Sequence, residues 1–193
     1  MVYQLLALGI LAGFYACYFG KMLSQRRRGI RTDQMGRGKT GRVRAIEIAV
    51  KCVTALLPAA QLVCIALRLT ALPDWARILG AVLGALGIAA FAAAMLCMKD
   101  SWRAGVSARE KTELVTGGIY RISRNPAFLG FDLMYLGILL LFFSWPLCVL
   151  TALAALLLHV QVVCVEEAHL RVAFGQAYLD YCGQVCRYIG RKS

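Results

Sequence analysis

The 193-residue chain is short of acid: ten Asp and Glu stand against 22 Lys and Arg, and charged residues of both signs make up only 17% of it. With 60% apolar residues and a mean hydropathy of +0.66, so little charge excludes a disordered chain and argues against a water-soluble globule. There are only two histidines, and none of the eight cysteines falls in a C-x-x-C pair. That spacing argues against zinc and dithiol redox sites, so no metal is expected and the cysteines read as small packing residues. Cys182 and Cys186 share a helical face, but no nearby His or Cys completes a metal shell. A net charge of +12 would point to nucleic acid if it lay along a soluble surface, so its distribution decides the matter.

What the chain has instead is long apolar runs. A bilayer core of about 30 Å takes about 20 residues of helix. Residues 2–22 carry one charge, Lys21; residues 45–69 carry Glu47, Lys51 and Arg68 near the two ends; residues 75–98 hold only Arg77. The fourth run, residues 126–165, holds only Asp132 and His159. It is too long for one span, and Ser144-Trp145-Pro146 divides it, because proline ends one helix and can start the next. The expected fold is therefore all-α, an integral membrane bundle of five transmembrane helices. Residues 2–22 lack a basic segment ahead of the apolar stretch and read as a retained span rather than a signal peptide.

The basic residues then set the topology. Residues 21–44 hold nine of them, the segments 99–125 and beyond 165 are also basic, and Leu72-Pro73-Asp74 and Ser144-Trp145-Pro146 have none. Cytoplasmic loops retain Lys and Arg, so the N-terminus is expected outside and the C-terminus in the cytosol. The membrane would be the plasma or inner membrane of a prokaryote, or the endoplasmic reticulum of a eukaryote. The +12 is then a topology signal aided by anionic lipid, and no nucleic-acid partner is expected.

Three local patterns carry less. Gly38-Lys39-Thr40 looks like the end of a phosphate loop, but Asp33 stands where that loop needs glycine. Glu47 and Lys51, at i and i+4, are expected to form an ion pair. Gly80, Gly84 and Gly87 have the small-residue spacing that lets helices approach closely.

The polar face after the third span is richer. Gly117-Gly118 breaks any helix, and Asn125-Pro126 reads as an N-cap and first-turn proline, presenting a helix N-terminus to the interface. After the fifth span, Glu166 and Glu167 are costly at the end of an apolar helix unless they reach water or a cation. Gly118-Ile-Tyr-Arg-Ile-Ser-Arg-Asn-Pro-Ala-Phe-Leu-Gly130, followed by Glu166-Glu167-x-x-Leu170 and Phe174-Gly175-x-x-Tyr178-x-x-Tyr181, resembles the isoprenylcysteine carboxyl methyltransferase family. That family is related to the phospholipid N-methyltransferases, and its members are membrane enzymes that use S-adenosylmethionine.

The resemblance covers roughly residues 102–190 and implies a cofactor site on the cytosolic side. Its contacts correspond to Thr112, Glu113, Leu114 and Val115, to Tyr120, to Asn125, Pro126, Ala127 and Phe128, and to Glu166. It divides the chain into three N-terminal spans (1–98, with the basic linker 21–44) and a methyltransferase region (99–193). The latter comprises a cofactor loop (99–125), a helical hairpin (126–165) and a C-terminal cytosolic helix (166–193). Two departures concern chemistry. Asn125 stands where the family commonly has a titratable histidine, and Val162 stands where the prenylcysteine enzymes have a substrate-contacting arginine. The first three spans are expected to add little beyond hydrophobicity.

Candidate catalytic groups are Asp132, as a base or partner to a cationic acceptor, His159, and Arg124 as an anion contact; each also has a structural reading. His159 precedes Glu166 by seven residues, which on a regular helix puts both on one face. Arg103 and Arg121 share the anion-contact reading with Arg124, or meet lipid head groups. Phe174, Tyr178 and Tyr181 form a helical stripe that either closes over an adenine or packs in the core. The expected function is methyl transfer from S-adenosylmethionine to a lipophilic small molecule or lipid within the membrane. The alternatives are a phospholipid N-methyltransferase and a non-catalytic multispan protein.

Overall fold

A chain in lipid must satisfy its own backbone polar groups, and each apolar run does so as helix. The computed structural model describes residues 1–106 and 113–192; its helices are α1 (Val2–Arg27), α2 (Gly41–Ala66), α3 (Asp74–Met98), α4 (Pro126–Leu141), α5 (Trp145–Gln161) and α6 (Glu167–Gln184). There is no strand among the described residues. Four helical stretches are long and apolar enough to cross a membrane, the last of them within Trp145–Gln184. The fifth, α4, has 16 residues and is about 24 Å long at 1.5 Å per residue, short of a full hydrocarbon core.

The break inside the fourth apolar run falls where Pro146 requires it. Ser144 is extended, and its Oγ accepts a hydrogen bond from the Leu147 amide at 3.3 Å, capping α5. At α4, Pro126 occupies the first turn as expected, but the Asn125 side chain does not cap the helix. Its Nδ2 instead donates to the Arg187 carbonyl at 3.2 Å, because the end of the chain folds back over this loop.

That return is a departure from the expected helix through residue 193. Helix α6 is kinked at Gly175 (φ 50°) and stops at Gln184. Beyond it, Gly190 N–H donates to the Ile122 carbonyl at 2.8 Å, and Arg124 N–H donates to the Cys186 carbonyl at 3.2 Å. The backbone of the tail is thus satisfied by the loop before α4 rather than by further helix.

Packing of the bundle rests on glycine between α3 and α4. A Cβ on Gly137 would lie 2.6 Å from both the Gly80 carbonyl oxygen and the Gly84 nitrogen, and one on Gly87 would lie 2.7 Å from Met134 N. Only hydrogen at these positions permits the backbones to meet. Beside this seam the rings of Phe14 and Phe91 stack at 4.5 Å, with Phe131 edge-on to both.

The basic segments gather at one end of the bundle. Residues 28–40 form a strap rather than a loose linker: Ala104 N–H donates to the Thr32 carbonyl at 3.0 Å, and Gln34 N–H to the Ala104 carbonyl at 2.9 Å. Buried Gln25 joins the two segments, donating to the Trp102 carbonyl at 3.0 Å and accepting from Thr32 Oγ1 at 2.6 Å. Arg28 holds Asp100 through both carboxylate oxygens at 2.8 and 3.0 Å. The strap also displaces the expected Glu47–Lys51 pair. It covers the first turns of α2, so the buried Glu47 carboxylate takes Lys39 and the Gly36 amide (2.7 Å) from the strap, while Lys51 turns to Asp33.

Candidate active site

Beneath the strap, where the polar ends of α1, α3, α4 and α5 meet, lies a cavity of about 190 Å³. Glu113, Leu114 and Val115 line it from the segment after α3, and Tyr120 from the 3-10 turn Gly118–Arg121. From the entry to α4 come Arg124, Asn125, Ala127 and Phe128, and from the end of α5 comes Glu166. Pro126 is buried and takes no part in the lining, and Thr112 lies outside the described residues.

The path to Glu166 runs through a π-helical turn, Val162–Glu166. Its i→i+5 bonding widens the helix by a residue, a feature that recurs at functional sites. It has two consequences. Glu166 is rotated into the cavity, where its Oε1 accepts from Gln161 Nε2 at 3.2 Å and no basic group pairs with it among the described residues. His159 no longer shares its face: it is exposed, and its Nδ1 meets the Tyr188 hydroxyl at 2.7 Å.

Asp132 is also outside the lining. It follows Phe131, which does face the cavity, and the helical step of about 100° turns its carboxylate away. Its Oδ1 is buried without a partner among the described residues. Arg121 is exposed and removed from the cavity, whereas Arg103 lines it and donates to the Trp102 carbonyl at 2.9 Å.

Arg124 is held from behind. Its Nη1 lies 3.1 Å from Glu167 Oε1 and 3.1 Å from the Tyr178 hydroxyl, and its side chain is 7% exposed. Glu167 in turn accepts from Arg187 of the returning tail at 2.8 and 3.1 Å. These bonds favour the charged guanidinium, so the pKa of Arg187 rises above its ordinary value. Glu167 is thus a hub that ties α6, the loop before α4 and the tail together, while the adjacent Glu166 faces the cavity.

The stripe of α6 serves both of its readings. Tyr178 and Tyr181 line the cavity and also form the core of a small cluster with Tyr120, Ala94 and Val185, while Phe174 packs at that cluster's edge. Tyr181 donates its hydroxyl hydrogen to the Tyr120 carbonyl at 2.6 Å, fixing the glycine turn. Burial pushes the Tyr120 phenol well above its ordinary pKa, so it stays neutral.

The first three spans contribute more than hydrophobicity, which corrects that expectation. Tyr18 of α1, Val50 and Thr54 of α2, and Phe91 and Met98 of α3 line the cavity, together with Trp102 and the strap's Met35. An indole in an otherwise polar segment was the available signal for Trp102; the others are indistinguishable in sequence from lipid-facing neighbours. Gln161 was also missed, being one amide at the end of an apolar run. It is 1% exposed, and its Oε1 has no partner among the described residues.

Residues 75–177, more than half of the chain, match the phospholipid methyltransferase family. The chain belongs to that family. The matched region begins at the start of α3 and ends within α6, so it contains the glycine seam, the loop entering α4, the π turn and Glu166. It excludes α1, the strap and the returning tail, which nevertheless supply Tyr18, Met35 and Arg187 to the site or its support. No curated protein matches the chain. Family membership makes it a membrane methyltransferase, in keeping with its four to five apolar helices.

Proposed function

We infer that the chain transfers a methyl group from S-adenosylmethionine to a lipophilic acceptor that enters from the membrane. The observation that carries this reading is the Glu166 carboxylate: it faces an aromatic-walled cavity with no cationic partner among the described residues, backed only by the Gln161 amide. A half-buried carboxylate of this kind calls for a cation or hydroxyl donors from a ligand.

The rest of the lining fits the same cofactor. Arg124 Nε is a buried donor and Gln161 Oε1 a buried acceptor, both without partners among the described residues. They suit the carboxylate and the ammonium or hydroxyl groups of an amino-acid-bearing nucleoside. Phe128, Tyr178 and Trp102 offer faces for a flat heterocycle. At about 190 Å³ the cavity is smaller than the roughly 300 Å³ at the low end of small-molecule sites, so loading widens it.

When bound, S-adenosylmethionine would supply an electrophilic methyl group, open to in-line attack by an acceptor lone pair with the neutral thioether as leaving group. The protein's part is then alignment and exclusion of water, which alone supply a large share of such a barrier. Arg124 is tied to Glu167 and its free Nε is taken by the cofactor in this reading, and the position of Val162 supplies no charge for a carboxylate acceptor. The Glu166 carboxylate and the aromatic wall suit an amine instead, through carboxylate contact and cation–π attraction. A lipid amine headgroup is therefore the favoured acceptor within this reading. The site faces the cytosol if the basic end does.

S-Adenosylhomocysteine should raise the melting temperature of the purified protein in a saturable way. Glu166→Gln should abolish most of that shift while leaving the unliganded melting temperature near the parent value. No shift in the parent would count against the reading and favour a non-catalytic membrane protein.

A further inference from the structure

A second cavity, of about 770 Å³, lies on the other side of the strap. One wall is basic, made by Arg31, Arg37 and Lys39 of the strap; the facing wall, from the π turn and the start of α6, is apolar at Val165, Ala168 and Val172, with Cys164 and His169 beside them. The lining includes the Gly38-Lys39-Thr40 segment that resembles, but is not, a nucleotide loop. Lys39 is engaged by the buried Glu47, whereas Arg31 and Arg37 are exposed and pair with no carboxylate among the described residues. The segment that carries them is ordered. Glycines at positive φ turn it at Gly36 and Gly38, the Gly36 amide is held by Glu47, and Gln34 Nε2 donates to the Arg31 carbonyl at 2.9 Å.

Two unpaired guanidinium groups opposite an apolar ridge match a ligand that is anionic at one end and greasy along its length. The ridge continues along α6 to Val172, which is 88% exposed. The arginines lie at the polar end of the bundle, where head groups meet the protein. We propose that this cavity binds one anionic phospholipid, its phosphate on Arg31 and Arg37 and an acyl chain along Val165, Ala168 and Val172. Guanidinium recognises phosphate bidentately and at fixed geometry. The bound lipid also fixes the strap, and with it Met35, which reaches the methyltransferase cavity from the opposite side.

The test uses the full chain in phosphatidylcholine nanodiscs into which phosphatidylglycerol is titrated, with retained lipid counted by native mass spectrometry and stability followed by thermal melting. The parent should retain one phosphatidylglycerol and melt higher as the mole fraction rises. Arg31→Ala/Arg37→Ala should weaken that retention at least tenfold. Arg42→Ala/Arg44→Ala, which removes the same charge from exposed positions at the start of α2 outside the cavity, should retain the lipid as the parent does. Equal loss in both double variants would reduce the effect to diffuse surface attraction and overturn the site. So would displacement of the lipid by millimolar inorganic phosphate with the same stabilisation, since the ligand would then be a free anion. Val172→Asp, which charges the apolar wall and leaves both arginines, should also weaken retention; undiminished binding there would refute the acyl contact.

Discussion

Replacing Glu167 by glutamine removes the charge at the centre of the site's support without changing its shape. The parent carboxylate is 2% exposed and lies 3.1 Å from Arg124 Nη1 and 2.8 Å from Arg187 Nε. Arg124, 7% exposed, would be left with no carboxylate in contact among the described residues, and stranding one member of a buried pair costs about 3–5 kcal/mol. Arg187 is different. Its side chain is 35% exposed, so in Arg187→Ala water screens part of the loss while Glu167 keeps Arg124, and the cost should be about 1 kcal/mol. At roughly 2–4 °C per kcal/mol for a chain of this length, Glu167→Gln should melt about 10 °C below the parent and Arg187→Ala about 3 °C below it. Melting in detergent micelles, followed by intrinsic fluorescence at one fixed scan rate, reads both. Equal losses in the two variants, or a Glu167→Gln protein within about 2 °C of the parent, would show that Glu167 is not the hub described.

Other perturbations test other parts. Gly137→Ala should destabilise by about 1–3 kcal/mol, because its Cβ would meet backbone atoms of α3 at 2.6 Å, whereas Gly183→Ala, with nothing within 4 Å, should melt no lower than the parent. Tyr181→Phe removes the 2.6 Å bond to the Tyr120 carbonyl and should cost about 1 kcal/mol in the same assay. His159→Ala should leave ligand-induced stabilisation unchanged, since His159 faces outward to Tyr188; loss of that stabilisation would return it to the site.

The helices were legible because lipid imposes one simple demand, an unbroken apolar run, and Ser144-Trp145-Pro146 marks the break between α4 and α5 by backbone chemistry alone. The glycine seam was legible in part: Gly80, Gly84 and Gly87 have the spacing, while their partners Gly130 and Gly137 could be assigned only from the packing. Three features were not legible, each for a physical reason. The strap is built from backbone pairing between residues 32–34 and 104, which leaves no side-chain pattern. The π turn is a one-residue change of phase within an apolar run, and it is what parts His159 from Glu166. The returning tail is held by carbonyls and amides of the loop before α4, so nothing in the sequence distinguishes Arg187 from the other basic residues beyond residue 165. The family motif marked the segments around the cavity, and the aromatic wall from α1 and α3 came only with the fold.

Methyl transfer itself is the most direct measurement. Membranes containing the parent chain or Glu166→Gln, at matched protein levels, are incubated with S-adenosylmethionine labelled in its methyl group, and the organic extract is separated and identified. Label should enter a lipid-soluble product in the parent, an amine-headgroup lipid on the favoured reading, and fall at least tenfold in Glu166→Gln. Label that is absent from the extract, or that enters it equally with both proteins, would contradict a methyltransferase site at this cavity.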